Sequence, residues 1–166
     1  LRSTHLRVES LGSDNAILSW LPGTPEDNSW EIKYGPPGFD PDFEGTFDSG
    51  IYEVPHSLSY LNPSTSYHAY VRTVCGPERS VWTGPVQFTT LCSDQDRCNY
   101  SVIMTDSEGD GWDGTILGFK QNGVVVQTFG EGFNTGSSFG PVDIPLCPGF
   151  ETRIVVVEPG GYTQEK

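Results

Sequence analysis

The sequence predicts an all-β protein built as two antiparallel sandwiches in tandem, and three observations carry that expectation. Short runs alternate apolar and polar residues, the period of half-buried strands, while no stretch sustains the i, i+3, i+4, i+7 apolar spacing of a helix. Twenty glycines and 13 prolines cut the chain into many short segments, as closely spaced turns require. A length of 166 residues suits one ordinary domain or two small ones, and a polar junction bracketed by cysteines divides it. The expected domains are residues 1–91 and 92–166.

In the first half the runs read in order as strands. His5–Glu9 alternates, Ala16–Trp20 ends in a large aromatic, and Trp30–Tyr34 is halted by Gly35-Pro36-Pro37-Gly38. Further strands are expected at Gly50–Val54, Ser66–Val74 and Val86–Thr90. Trp20 and Trp30 lie inside strands and are expected in the core. Tyr67, at the end of Leu61-Asn62-Pro63-Ser64-Thr65-Ser66, is placed to bury its ring and return its hydroxyl to the backbone upstream. With Trp20, Tyr34, this corner and the ending Val86-Gln87-Phe88-Thr89-Thr90, residues 1–90 resemble a fibronectin type III domain. The resemblance implies a spacer or binding module with no chemistry of its own. The segments Tyr70–Gly76 and Trp82–Pro85 look more narrowly like such domains in secreted multidomain proteins of Bacteroidetes-type bacteria. Trp82 sits in a turn-rich segment and is a candidate sugar-binding ring.

The charge is −13, with a pI near 4.3, and only nine lysines and arginines are present. No basic stripe is available to neutralise phosphates, which argues against nucleic-acid binding, and attraction to an anionic membrane is disfavoured as well. No run of about 18 apolar residues marks a membrane span, so direct membrane insertion is not expected. The chain opens directly in domain-like sequence, as an excised or mature piece of a longer secreted protein would.

In the second half, strands are expected at Tyr100–Thr105, Thr115–Gln121, Val124–Phe129, Gly140–Leu146 and Thr152–Val157. Asn122-Gly123 between two apolar runs is a strong signal for a two-residue hairpin. The region reads as a second sandwich of jelly-roll type. A closing edge strand is not evident before residue 166.

The chemistry-bearing stretch is Asp106-Ser107-Glu108-Gly109-Asp110-Gly111-Trp112-Asp113-Gly114. Four carboxylates this close repel one another unless water or a cation offsets them. Calcium takes six to eight oxygen ligands, and glycines let a loop turn sharply enough to converge them. Asp106, Glu108, Asp110 and Asp113 are therefore candidate calcium ligands, Glu108 the least favoured, with backbone carbonyls completing the shell. Glu165 could add a carboxylate from the C-terminal end. An EF-hand is excluded: its twelfth position, where a bidentate glutamate is needed, is Leu117, and no helices flank the loop. Trp112, amid the acids, is a second candidate sugar-binding ring.

Together with Cys98-x-Tyr100, Asn122-Gly123 and Leu146-Cys147-Pro148-Gly149, this loop resembles a recurrent "GDGW" β-sandwich module of extracellular, multidomain bacterial proteins, adhesins and secreted hydrolases among them. The resemblance implies a secreted or cell-surface location. Aspartate at 113, where relatives usually carry asparagine, adds charge and cation demand.

The four cysteines, Cys75, Cys92, Cys98 and Cys147, form no Cys-x-x-Cys pair and lie far from His5, His56 and His68, which disfavours zinc. An even count in a glycine-rich β-protein favours disulfides and an oxidising compartment. Three pairings are possible, and 75–92 with 98–147 is preferred because each stays within or at the edge of one domain.

Paired carboxylates also serve glycoside hydrolysis, but here they crowd one loop with no partner to raise a pKa. No nucleophile motif accompanies them. The expected function is therefore non-catalytic: a calcium-stabilised binding or structural region of a secreted protein. The alternatives are a carbohydrate-binding accessory module of a hydrolase, or a subunit of an adhesin or fibre. Glycans or other extracellular protein modules are the expected partners.

Overall fold

The computed structural model describes residues 2–160, so Glu165 lies outside the described residues. These residues divide between Ser93 and Asp94 into two compact units.

The strands of the first unit are β1 (Thr4–Leu11), β2 (Ala16–Leu21), β3 (Trp30–Gly35), β4 (Thr46–Ile51), β5 (His56–Leu58), β6 (Ser66–Cys75), β7 (Glu78–Arg79) and β8 (Thr83–Thr89). One sheet runs β1-β2-β5, and the other runs β4-β3-β6 with β7 and β8 also paired to β6. All pairings are antiparallel. The inward residues of both sheets form the core, including Leu18, Trp20, Ile32, Leu58 and Val71. Trp20 and Trp30 meet edge to face across it at 5.8 Å, as their strand-interior positions predict. The Tyr67 hydroxyl accepts the Asn62 N–H at 3.0 Å, so the tyrosine corner forms as expected. The unit is a fibronectin type III-like sandwich.

One strand is displaced from its expected position. The fourth runs Thr46–Ile51 rather than Gly50–Val54 because it pairs along β3, Phe47 opposite Lys33 and Ile51 opposite Trp30. Pro55, which has no N–H to offer a ladder, follows directly on the expected run. The three-residue β5 beyond it is too short to show alternation in sequence.

In the second unit a 3₁₀ turn at Asp94–Asp96 leads into β9 (Cys98–Thr105), β10 (Ile116–Gln121), β11 (Val124–Phe129), β12 (Ser138–Leu146) and β13 (Thr152–Glu158). One antiparallel sheet runs β11-β10-β13 and the other pairs β12 with β9. Asn122 and Gly123 both adopt positive φ and close the β10–β11 hairpin between Gln121 and Val124. Met104, Phe119, Phe129, Phe133, Ile144 and Leu146 form the core. Among the described residues these five strands make an antiparallel two-sheet sandwich.

The cysteine pairing differs from the preferred one. Cys92 and Cys147 form the disulfide, while Cys75 and Cys98 are free and exposed. Register explains both differences. Ser66 pairs with Thr89, close to Cys92, whereas Cys75 is at the opposite end of β6. At roughly 3.3 Å per residue that strand separates them by about 30 Å, against the roughly 4.4–6.8 Å that a disulfide spans between Cα atoms. Cys98 lies opposite Leu146. Cys147, one residue further along and past the end of β12, is buried, whereas Cys98 is exposed.

Candidate functional site

The acidic loop joins β9 to β10, and its shape is set mainly by one carboxylate. Asp106 Oδ2 accepts the backbone N–H groups of Gly109, Asp110 and Gly111 at 2.5, 3.1 and 3.3 Å. Three consecutive amides thus curl around one oxygen, a local side-chain-to-backbone pattern typical of aspartate. Partial desolvation would raise the Asp106 pKa, but the donors from Gly109, Gly111, Asp110 and Glu108 outweigh it and hold the carboxyl below its ordinary value.

A second segment, residues 133–137, is laced to this loop by its backbone. The Trp112 N–H donates to the Phe133 carbonyl at 2.7 Å, the Gly136 N–H to the Gly109 carbonyl at 2.9 Å, and the Asp106 N–H to the Ser137 carbonyl at 3.0 Å. The Asn134 Oδ1 accepts the Gly114 N–H at 3.1 Å. Gly111 is required by this lacing. Its φ is +85°, and a Cβ there would stand 2.6 Å from the Phe133 carbonyl oxygen. Asn134 was not legible as a site residue. The available signal was an amide side chain in a glycine-rich turn, the usual place for such a residue to bond a nearby backbone.

The four candidate ligands fall into two pairs. Asp106 and Asp113 line one cleft of about 330 Å³ together with Gly111, Trp112, Thr115, Leu117 and Gly160. Glu108 and Asp110 are exposed and do not line it. Asp113 holds a left-handed φ of +48° at the loop's last turn, a conformation aspartate tolerates better than most residues. Among the described residues, no group of three or more His, Cys, Asp or Glu side chains converges as a metal cage. A hard cation here would draw on the two cleft carboxylates and otherwise on carbonyls and water. An Asp106 kept ionised by backbone donors is the opposite of a general acid, which needs a raised pKa near neutrality.

Neither candidate sugar-binding tryptophan stands open. Trp112 is half-buried against Phe133 and Phe129, with ring centroids 5.5 and 6.5 Å away, and its Nε1 donates to the Thr105 carbonyl at 3.2 Å. Trp82 belongs to the first unit. The Arg72 guanidinium lies 4.3 Å over its ring, and its Nε1 donates to Asp42 at 3.1 Å. That arginine also binds Glu31 Oε2 at 2.7 Å, while Arg79 takes Oε1 at 2.9 Å. Trp82 thus caps an ion-pair network on the sheet.

No family model and no curated protein matches the chain. Solved structures similar to it include fibronectin type III domains. The FN5 domain of Drosophila Lar is 17% identical over 55% of this chain and 96% of that chain, with a TM-score of 0.45. The fn3 domain of the human collagen alpha-1(XX) chain is 20% identical over 56% of this chain and 87% of that chain, with a TM-score of 0.44. The fibronectin type-III domain of human fibronectin type III domain containing protein 3 is 21% identical, over 55% of this chain and 86% of that chain, with a TM-score of 0.45.

Proposed function

We propose that the chain is a non-catalytic binding and structural region of a secreted or cell-surface multidomain protein. In this reading the first unit is a fibronectin-like spacer, and the second is a GDGW-type module whose acidic loop is rigidified by a weakly bound calcium ion. The observation that carries it is the pair of carboxylates, Asp106 and Asp113, lining one cleft in a loop already shaped by its own backbone. A loop pre-shaped in this way loses little further entropy on taking up an ion. Two side-chain ligands leave most of the six to eight positions to carbonyls and water, which places the affinity at the weak, extracellular end of the calcium range. The Cys92–Cys147 disulfide suits an oxidising compartment. Among the described residues no helix is long and apolar enough to cross a membrane. The sugar-binding alternative would use the Trp82 face that Arg72 leaves uncovered or the exposed part of the half-buried Trp112.

Calcium that binds only the folded unit raises its melting temperature by mass action. The test is thermal unfolding in millimolar calcium and in chelator, for the wild type, Asp113→Asn and Asp110→Asn. The expected result is a calcium-dependent rise in wild type and Asp110→Asn that is lost in Asp113→Asn. Equal curves with and without calcium in the wild type would refute the calcium assignment.

A further inference from the structure

The loop of residues 36–45, between β3 and β4, holds one phenyl ring out in water on a fixed support. Its other phenylalanine, Phe39, is 5% exposed and packs edge to face on Tyr70, with centroids 5.3 Å apart. Tyr70 alternates with the buried Ala69 and Val71, so this anchor lies on the outer face of the sheet. A Cβ at Gly45 would stand 2.5 Å from the Phe39 ring, which is why the loop closes on a glycine. The Asp40 carbonyl accepts the Phe43 and Glu44 N–H groups at 3.2 and 2.8 Å. Asp40 Oδ1 accepts the Asp42 N–H at 3.0 Å, and Asp42 Oδ1 accepts the Trp82 Nε1–H at 3.1 Å. Phe43, at the turn these bonds close, is 85% exposed. Asp40, Asp42 and Glu44 beside it are exposed too, and the loop contains no base.

A surface of opposite character lies on the second unit. Lys120 stands opposite Arg153 in the β10–β13 ladder, so their side chains and that of Val155 share one face. All three line a groove of about 350 Å³ beside the Asn122-Gly123 turn. Arg153 is paired with Glu151 at 2.7 Å, whereas among the described residues no carboxylate pairs with Lys120. An apolar cavity of about 150 Å³ already admits benzene. The groove therefore has room for a phenyl ring between Val155 and the aliphatic stems of the two bases, whose charges attract an aromatic face.

We propose that Phe43 of one copy docks in the Lys120–Arg153 groove of a second copy, so that the chain assembles head to tail. Charge complementarity selects this occupant: the loop brings three carboxylates and no base, and the groove offers two bases against one carboxylate. Both halves of the contact are on the chain itself. The loop arrives already shaped, so docking orders little backbone, and an aromatic anchor in a pocket is where binding energy concentrates. Loop and groove are different surfaces, so each added copy leaves one of each open, and the contact builds filaments or rings. With −13 on every copy, the assembly is weak and forms at high protein concentration. Neither surface contains Asp106 or Asp113, so the proposal does not depend on the calcium reading.

The test is light scattering on the intact chain from about 10 μM to about 1 mM, a range that brackets weak self-association. Chelator excludes bridging by calcium, and alkylation of Cys75 and Cys98 excludes cross-linking through their exposed thiols. The expected result is a mean mass that rises with concentration past that of a dimer. Phe43→Ser and Lys120→Glu should each remain monomeric alone. Mixed in equal amounts, the two variants should form a dimer and stop there, because each retains one surface; that recovery also shows both to be folded. Tyr60→Ser, which removes a 97% exposed ring elsewhere on the first unit, should assemble like the wild type. The proposal is overturned by a wild type that stays monomeric throughout, or by one that stops at a dimer. It is overturned equally if either single variant assembles like the wild type, or if the mixture stays monomeric.

Discussion

At the scale of single residues, Asp106 and Gln121 carry more structure than their surroundings suggest. Asp106 holds three amides through one oxygen, and those amides keep its folded pKa below the ordinary value of 3.8. As pH falls, the unfolded chain therefore takes up its proton first. The stabilisation is complete above the ordinary value and is lost as pH falls through the folded one. Urea midpoints between pH 6 and pH 2 should show a steeper acid decline for the wild type than for Asp106→Asn. Parallel declines would contradict the role given to the carboxylate. Gln121 is buried, with its Nε2 donating to the Cys147 carbonyl and to Thr152 Oγ1, both at 2.9 Å. Its Oε1 accepts the Cys147 N–H at 3.2 Å. Gln121→Leu removes the two hydrogen bonds that the amide makes to the Cys147 peptide group, a loss of about 1–3 kcal/mol. Equilibrium unfolding would read that loss directly, and a midpoint equal to wild type would show that water replaces the amide.

At the scale of elements, the acidic loop behaves as half of a two-segment construction. Gly111→Ala puts a methyl group against the Phe133 carbonyl and forces a left-handed backbone on alanine. It should destabilise the second unit by about 1–3 kcal/mol and speed amide exchange at Trp112 and Gly136, whose N–H groups make the lacing. Gly114→Ala shares the positive φ but meets open space, so it should show the backbone strain without the clash. If the two variants are equally destabilised, contact with residues 133–135 is not what demands glycine at 111. The sequence announced this loop through its acids and glycines, and it announced most strands through alternation. Tyr67 and Asn122-Gly123 were legible because their signals are local. Properties set by pairing across the sheets were not. The offset of β4, the Cys92–Cys147 bond and the Gln121 clamp all depend on which residues stand opposite one another, and no run of neighbours encodes that. Trp112 attracted attention as a binding ring because it sits among acids, yet the fold turns it onto Phe133.

At the scale of the whole molecule, the division at Ser93/Asp94 gives each unit a separate core. A chain built this way need not unfold in one step, and a single unfolding free energy is then undefined for it. The two cores can be addressed separately by substitution. Glu31 is 7% exposed and accepts one arginine on each carboxylate oxygen, so Glu31→Ala leaves Arg72 and Arg79 without their partner. Because both arginines reach solvent, the expected loss is about 1.5–3 kcal/mol, the range for hydrogen bonds to charged groups. It falls wholly within the first unit. Gly111→Ala acts wholly within the second. Calorimetry should resolve two transitions, with Glu31→Ala lowering one and Gly111→Ala the other. Calcium should raise only the transition that Gly111→Ala lowers, since Asp106 and Asp113 both belong to that unit. A single transition lowered equally by both substitutions would instead show that the two cores melt as one cooperative body.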